Sequence, residues 1–404
     1  MSMKKLLLLA VVVILSNYAY AQQALWGGQE IVSPEINPDN TVTFRYVAPK
    51  AIRVQVTGDF LPSEKVQTPM GEFDGPGFAD LVEGENGLWE FTTPFSLTPE
   101  LYSYSFIVDG LKTHDPNNVY QIRDVASVTN IFIMNDGRDG LYGVKGVPHG
   151  SVTRRWYDSP GLQCQRRITI YTPPGYENSN QSYPVFYLLH GSGGDEEAWI
   201  ALGRASQILD NLIAQGKAKP MIVVMPNGHT QNPAAPGESS HGFFKPRMGG
   251  GPREAVASME DTFGDILKFV ESNYRVKKNK ANRAVAGLSM GGMHSSRISA
   301  QYPNTFDYIG IFSAPPVVTT MRPGNQDPNA EKEFMKKLET QKKNGYKLYW
   351  IACGNTDFLY NGVIESMKKM DEINFPYVYR ESSGGHTWDN WRIYLTEFAP
   401  MLFK

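Results

Sequence analysis

A chain of 404 residues exceeds what one hydrophobic core organises, so two folded units are expected. Hydrophobic residues make up 41% and charged residues 20%, enough apolar matter for packed cores and too little charge for disorder. A formal net charge of -2, with no Lys/Arg cluster interleaved with aromatics, excludes a general attraction to phosphate backbones, so nucleic acid is not an expected partner.

The chain opens with Lys4 and Lys5, an apolar run over 6–15, and Ala19-Tyr20-Ala21. That pattern is a secretory signal peptide over residues 1–21, and it implies export to the periplasm or beyond. The apolar run is far shorter than the ~20 residues of a spanning helix, so no membrane association is expected after cleavage. Only Cys164 and Cys353 are present, and two cysteines so placed make no disulfide scaffold; both are expected to be free and structural.

Residues 25–135 alternate apolar with polar in short segments, at 41–46, 52–57, 102–108 and 128–133, without a helical period. Asp109-Gly110 is a strong hairpin-turn signal. These features predict an all-β sandwich of immunoglobulin-like size. The turn-rich stretch 136–149, which includes Asp136-Gly137-Arg138-Asp139-Gly140, is the expected linker.

From 150 to 404 the texture is α/β, with continuous apolar strands alternating with amphipathic helices, as in a mostly parallel sheet covered on both faces. Strands are expected at 167–171, 185–189, 221–225, 283–286, 308–312, 347–353 and 377–380. Three- and four-residue spacing of Ile208, Leu209, Leu212 and Ile213, of Phe263, Ile266, Phe269 and Val270, and of Ile364, Met367 and Met370 marks three helices. The glycine- and proline-rich stretch 228–252, with Phe243 and Phe244, has no period; following a strand's carboxyl end, it is expected to act as a substrate-contacting lid.

Gly287-Leu288-Ser289-Met290-Gly291 is a G-x-S-x-G sequence between a strand and a helical stretch at 293–301, the context in which a serine projects above a sheet as a nucleophile. A serine hydroxyl needs a base, and the base needs a carboxylate that fixes its tautomer. In chain order after the serine, Asp357 follows the strand at 347–353 and His386 follows the strand at 377–380, so these are the expected acid and base. Leu189-His190-Gly191-Ser192-Gly193-Gly194 supplies a small-residue loop where main-chain N–H groups approach a substrate oxygen. Ser192 or Gly191, with Met290, is therefore the expected oxyanion donor pair, and His190 is structural. No His, Cys or carboxylate cluster has zinc-ligand spacing, so no metal and no cofactor are expected.

These motifs, with Tyr171-Thr172-Pro173-Pro174-Gly175-Tyr176, Met225-Pro226-Asn227-Gly228 and Gly385-His386, resemble the landmarks of carbohydrate esterase family 1, the feruloyl and acetylxylan esterases related to esterase D. The resemblance implies an α/β-hydrolase catalytic domain with Ser289, Asp357 and His386 as nucleophile, acid and base. It also implies feruloylated or acetylated xylan as substrate. The first domain resembles, more loosely, the immunoglobulin-like module of glycogen branching enzymes, a relative of family 48 carbohydrate-binding modules. Trp199, Trp388, Trp391 and Asn227 lie close to these motifs and are candidate substrate contacts; Trp26, Trp89, Tyr102 and Tyr104 of the first domain are expected to pack rather than bind glycan. Competing readings are a siderophore trilactone esterase, for which Lys245, Arg247 and Arg253 would supply cationic contacts, a mycolyl-type acyltransferase, and a silent glycan-binding protein on a hydrolase scaffold.

Overall fold

The computed structural model describes residues 31–68, 71–239, 256–317 and 328–404. The leader at 1–21, Trp26, and the part of the expected lid that carries Phe243, Phe244, Lys245, Arg247 and Arg253 lie outside the described residues.

The N-terminal unit is all-β. One antiparallel sheet has the order β1 (Glu35–Ile36), β2 (Val42–Val47), β8 (Leu88–Thr92), β7 (Val82–Glu83). A second has the order β11 (Gln121–Asp124), β12 (Ser127–Ile133), β9 (Leu101–Val108), β3 (Val54–Gly58), β6 (Gly77–Asp80), with β10 (Leu111–Thr113) folded onto β9. β4 (Glu64–Thr68) and β5 (Gly71–Gly75) pair separately. Period-two alternation points Val42 and Phe44 of one sheet and Val54, Val56, Tyr104 and Phe106 of the other into a shared core. Asp109 and Gly110, both at positive φ, close the β9–β10 hairpin as their sequence demands. Trp89 and Tyr104 are buried packing residues, with Trp89 Nε1 donating to the Ala48 carbonyl and the Tyr104 hydroxyl donating to Asp115.

The second unit is built on an eight-stranded sheet. Its order is β13 (Ser151–Ser159), β14 (Cys164–Thr172), β16 (Ile222–Pro226), β15 (Val185–Leu189), β17 (Arg283–Leu288), β18 (Tyr308–Phe312), β19 (Leu348–Gly354), β20 (Val378–Ser382). From β16 to β20 neighbouring strands run parallel; β14 runs antiparallel to both its neighbours. Alternation along β15 sends Val185, Tyr187 and Leu189 to one core and Phe186 and Leu188 to the other, so both faces are covered. The first core packs beneath α3 (Met259–Asn273), α4 (Met290–Gln301), α5 (Pro328–Asn344) and α6 (Tyr360–Glu372); the second packs beneath α2 (Ala205–Ala214) and α7 (Trp388–Phe398). A short α1 (Ala198–Ala201) precedes α2. Cys164 and Cys353 are both free.

The turn-rich stretch expected as a linker does not behave as a loose connection. Leu141 and Tyr142 are buried in the second core together with Leu101 and Ile131 of the all-β unit. Asn211 donates to the carbonyls of Leu141 and Gly143, and Arg204 donates to that of Tyr142. Lack of apolar periodicity marked this stretch as a boundary, yet its isolated apolar side chains and its carbonyls are what the second unit grips. Arg392 on α7 completes the junction: it pairs with Glu100 at 3.1 Å, donates to the carbonyls of Leu101 and Leu202, and lies 5.4 Å from the Tyr142 ring centre. Burial pushes the Glu100 carboxyl above its ordinary pKa in spite of that guanidinium. Truncating one partner of a buried pair strands the other, so Arg392→Ala should cost about 3 kcal/mol of stability, read as a lower urea midpoint of the whole chain.

Candidate active site

The turn from β17 into α4 is set by steric exclusion. A side chain at Gly287 would lie 2.6 Å from the backbone of Gly291, and one at Gly291 would lie 2.5 Å from the carbonyl oxygens of Leu189 and His190 at the end of β15. Only glycine lets the first turn of α4 come this close to the neighbouring strand. Ser289 between them is held at φ 52°, ψ −120°, a left-handed conformation rare outside glycine. Its own N–H is tied to the Phe312 carbonyl at 2.8 Å. Ser289 follows the end of β17 and lines a cavity there.

Asp357 follows β19 and its carboxylate is fully buried, with Oδ1 accepting from the Leu359 N–H at 2.8 Å. His386 follows β20, and its Nδ1 lies 2.9 Å from Asp357 Oδ2 and 3.0 Å from Oδ1. A carboxylate there requires Nδ1 to carry the proton, so Nε2 is the basic nitrogen. The Phe358 ring lies 4.5 Å from the imidazole centre on one side, and Trp391 meets it edge-on at 5.0 Å on another. Ser289 and His386 line the same cavity of about 680 Å³, a size suited to a small ligand. Among the hydrogen bonds of the described residues, none joins the Ser289 hydroxyl to His386. In unliganded enzymes that contact is often long and tightens with substrate.

Gly191 and Ser192 also line the cavity, and Met290 is the first residue of α4, where a backbone N–H has no partner within the helix. The loop carrying Gly191 and Ser192 is braced by two histidines. His190 Nε2 accepts from the Gly228 N–H at 2.7 Å, while its Nδ1 faces the Gly191 carbonyl at 2.7 Å. His229 Nε2 accepts from the Gly193 N–H at 2.8 Å. Both imidazoles act as acceptors and must be neutral to do so. Burial, foremost, holds His190 down to about 4 and His229 down to about 3.

Of the expected substrate contacts, Trp388 and Trp391 line the cavity. Trp199 and Asn227, expected beside them, are not part of that lining. Trp199 is 1% exposed and donates to the Leu189 carbonyl, which makes it a brace for the end of β15. Asn227, equally buried, donates to Glu196 and accepts from the His229 N–H, so it shapes the loop behind the site. Of the expected lid, Ala235, Pro236 and Glu238 line the cavity. Glu196 anchors them by accepting from the Ala235 N–H; burial, with Asp195 beside it, pushes its carboxyl up to about 7.

Sequence reasoning missed the charged wall. Arg154 grips Glu197 through both Nε and Nη2, and Arg167 lies 3.3 Å from Glu197 and from Glu238. It also missed Arg123, Asp124 and Val125 of the all-β unit, which line the same cavity. No local signal marks either group, because strands distant in sequence bring them to the site. Among the described residues, no group of three His, Cys, Asp or Glu is placed to hold a metal ion.

A profile of the family described as "Putative esterase" matches residues 159–402. An endo-1,4-beta-xylanase/feruloyl esterase of Xylanibacter ruminicola is 29% identical over 383 residues, covering 93% of this chain and 46% of that protein. The chain thus spans about half the length of that curated relative. A solved ferulic acid esterase superposes with a TM-score of 0.51 at 25% identity, over 63% of this chain and 97% of that one. The enterobactin esterase of Shigella flexneri superposes with a TM-score of 0.61 at 16% identity, over 95% of this chain and 98% of that one, a likeness of fold that extends through both units.

The neutral histidines yield a pH prediction. The unfolded chain protonates these imidazoles below about pH 6.5, whereas the folded chain resists until about 4 for His190 and about 3 for His229. Stability should therefore be full above pH 6.5 and fall as the pH drops toward 4, by roughly 1 kcal/mol per pH unit for each imidazole. Urea unfolding at pH 7 and pH 5 measures it, and His190→Asn should show a shallower dependence than the parent.

Proposed function

The chain belongs to this esterase family, and from that premise we propose that it is a serine esterase releasing feruloyl groups from xylan-type plant cell-wall carbohydrate. The observation that carries the proposal is the convergence, in the lining of one cavity, of the strained Ser289, the Asp357-bound His386 and the Gly191–Ser192 loop. The feruloyl specificity is supported by the relative that matches 93% of this chain and is named for that activity.

In the proposed cycle, His386 Nε2 takes the hydroxyl proton as Ser289 Oγ attacks the ester carbonyl carbon. The carbonyl oxygen becomes an oxyanion that accepts from the Met290 N–H and from Gly191 or Ser192, each donor worth about 3 kcal/mol in the transition state. As the tetrahedral species collapses, the sugar alkoxide leaves with the proton from His386, and the acyl group remains on Ser289. Water, deprotonated by the same nitrogen, then frees ferulate and restores the hydroxyl. Asp357 keeps Nδ1 protonated and stabilises the imidazolium throughout.

Within this proposal the aromatic lining, Trp388 and Trp391, receives the phenolic acyl group, and the charged lining around Arg154 and Glu197 meets sugar hydroxyls. The paired state of those arginines suits a neutral glycan better than a polyanionic catecholate. The all-β unit, bounded at 25–135 with an immunoglobulin-like arrangement akin to family 48 modules, has the role of a positioning partner for the esterase unit at 150–404. The mature chain starts after residue 21 and acts outside the cytoplasm.

Ser289→Ala should abolish ester turnover and leave the unfolding midpoint in place or raised, since the left-handed strain remains while the hydroxyl is lost. Asp357→Asn should lower kcat by about 10⁴ through the wrong tautomer. Chromatography of ferulate and acetate released from feruloylated, acetylated arabinoxylan oligosaccharides tests the substrate: ferulate should dominate, and release of acetate alone would refute it.

A further inference from the structure

The β11–β12 hairpin pairs Asp124 with Ser127, leaving Val125 and Ala126 as a two-residue loop. Val125 sits at φ 49°. That first loop position is where tight hairpins use glycine, asparagine or aspartate, because a side chain branched at Cβ collides with its own backbone there. Most other residues at positive φ in this chain obey the rule, among them Asn40, Asn86, Asp109 and Asn135; among the described residues Val125 is the one β-branched exception. The hairpin itself gains nothing from valine at this point. A local rule broken without local compensation directs attention to what the side chain touches elsewhere.

Val125 lines the same cavity as Ser289 and His386. The hairpin tip is fixed to the esterase unit at its base. Arg123 donates through Nη1 to the Val125 carbonyl at 3.0 Å and through Nη2 to Asp195, a buried residue just beyond the Gly191–Gly194 loop. Ile122 packs against the second core of the esterase unit. The all-β unit therefore contributes an apolar residue with a strained backbone to the lining of the cavity. The same lining holds the apolar side chains of Leu202, Trp388 and Trp391.

We propose that Val125 is a specificity-determining residue of the ester cavity, contributed by the all-β unit, that favours esters of flat aromatic acids over those of small acids. The inference rests on the cavity being the ester site. Its isopropyl group closes the apolar stretch against one face of a phenolic acyl group, which an acetyl group is too small to reach. Arg123 is a positioning residue, holding the turn carbonyl and thereby the valine.

The test uses the full chain with p-nitrophenyl ferulate and p-nitrophenyl acetate, which share a leaving group and differ only on the acyl side. Val125→Gly relieves the left-handed strain, so it should fold with an unchanged or higher Tm. The ferulate-to-acetate ratio of kcat/KM should fall about ten-fold, the scale of losing a few methyl groups of contact in an apolar pocket. Val125→Asn, which tolerates the backbone and keeps most of the volume, should also lower the ratio. A ratio that stays level or rises in both variants overturns the assignment, and so does an equal fall with both substrates, which would mark the turn as merely structural. Should the parent hydrolyse the acetate but not the ferulate, the feruloyl reading fails by itself. Val125 is then judged by the same ratio between p-nitrophenyl hexanoate and acetate, with the same fall expected and a level ratio overturning it.

Discussion

Two glycines pressed against the end of a neighbouring strand decide what the rest of the site can be. Because Gly287 and Gly291 carry no Cβ, the backbone of α4 approaches the carbonyls of Leu189 and His190 more closely than any other residue would permit. That approach goes with the positive φ of Ser289 at the N-terminus of α4, beside the cavity that Gly191, Ser192 and Gly194 also line. Such strain costs of order 1–3 kcal/mol and persists because everything around it is over-determined. Trp199 holds the Leu189 carbonyl, Phe312 holds the serine N–H, and the cores above and below β17 leave no room for the turn to relax.

The loop facing the serine is fixed by charge-neutral chemistry. Two imidazoles kept unprotonated by burial accept backbone N–H groups on either side of it, and Glu196 fastens the next loop through Asn227 and Ala235. A protonated imidazole could not accept these N–H groups and would add a positive charge beside the buried Arg166, which already donates to the Asn227 and His229 carbonyls. Neutral acceptors give rigidity without that cost, which is why histidines in these places are structural although they lie beside the chemistry.

Much of this was readable from the sequence, and the failures have specific causes. The strands at 185–189 and 308–312 were placed to the residue, because continuous apolar runs bounded by Pro184 and by Asp307 admit little else. The elbow, Asp357 and His386 were legible because each follows a strand end, and the structure puts the Asp357–His386 contact at 2.9 Å. β13 was missed: Ser151–Ser159 is an edge strand in which the consecutive Arg154, Arg155 and Trp156 are all exposed, so its pattern lacks a clean apolar alternation and resembles a loop. α5 was not singled out because its lysine- and glutamate-rich sequence has only a thin apolar stripe, with Phe334 and Leu338 buried. Trp199 looked like a sugar platform from its place beside the loop, yet neighbours in sequence point to opposite sides of a short helix. The Arg123–Val125 wall was invisible, since nothing local links residue 123 to residue 195.

The two units share a core and a buried ion pair, and residues of the all-β unit line the same cavity as Ser289 and His386. Everything proposed about its chemistry depends on the Ser289 hydroxyl being activated by His386. Incubation with a fluorophosphonate, followed by peptide mass mapping, addresses this at the atom concerned. One adduct per chain should appear, on the peptide bearing Ser289, and His386→Ala should slow its formation by orders of magnitude. Adduct on another residue, or labelling of Ser289 at an undiminished rate without the imidazole, would contradict it.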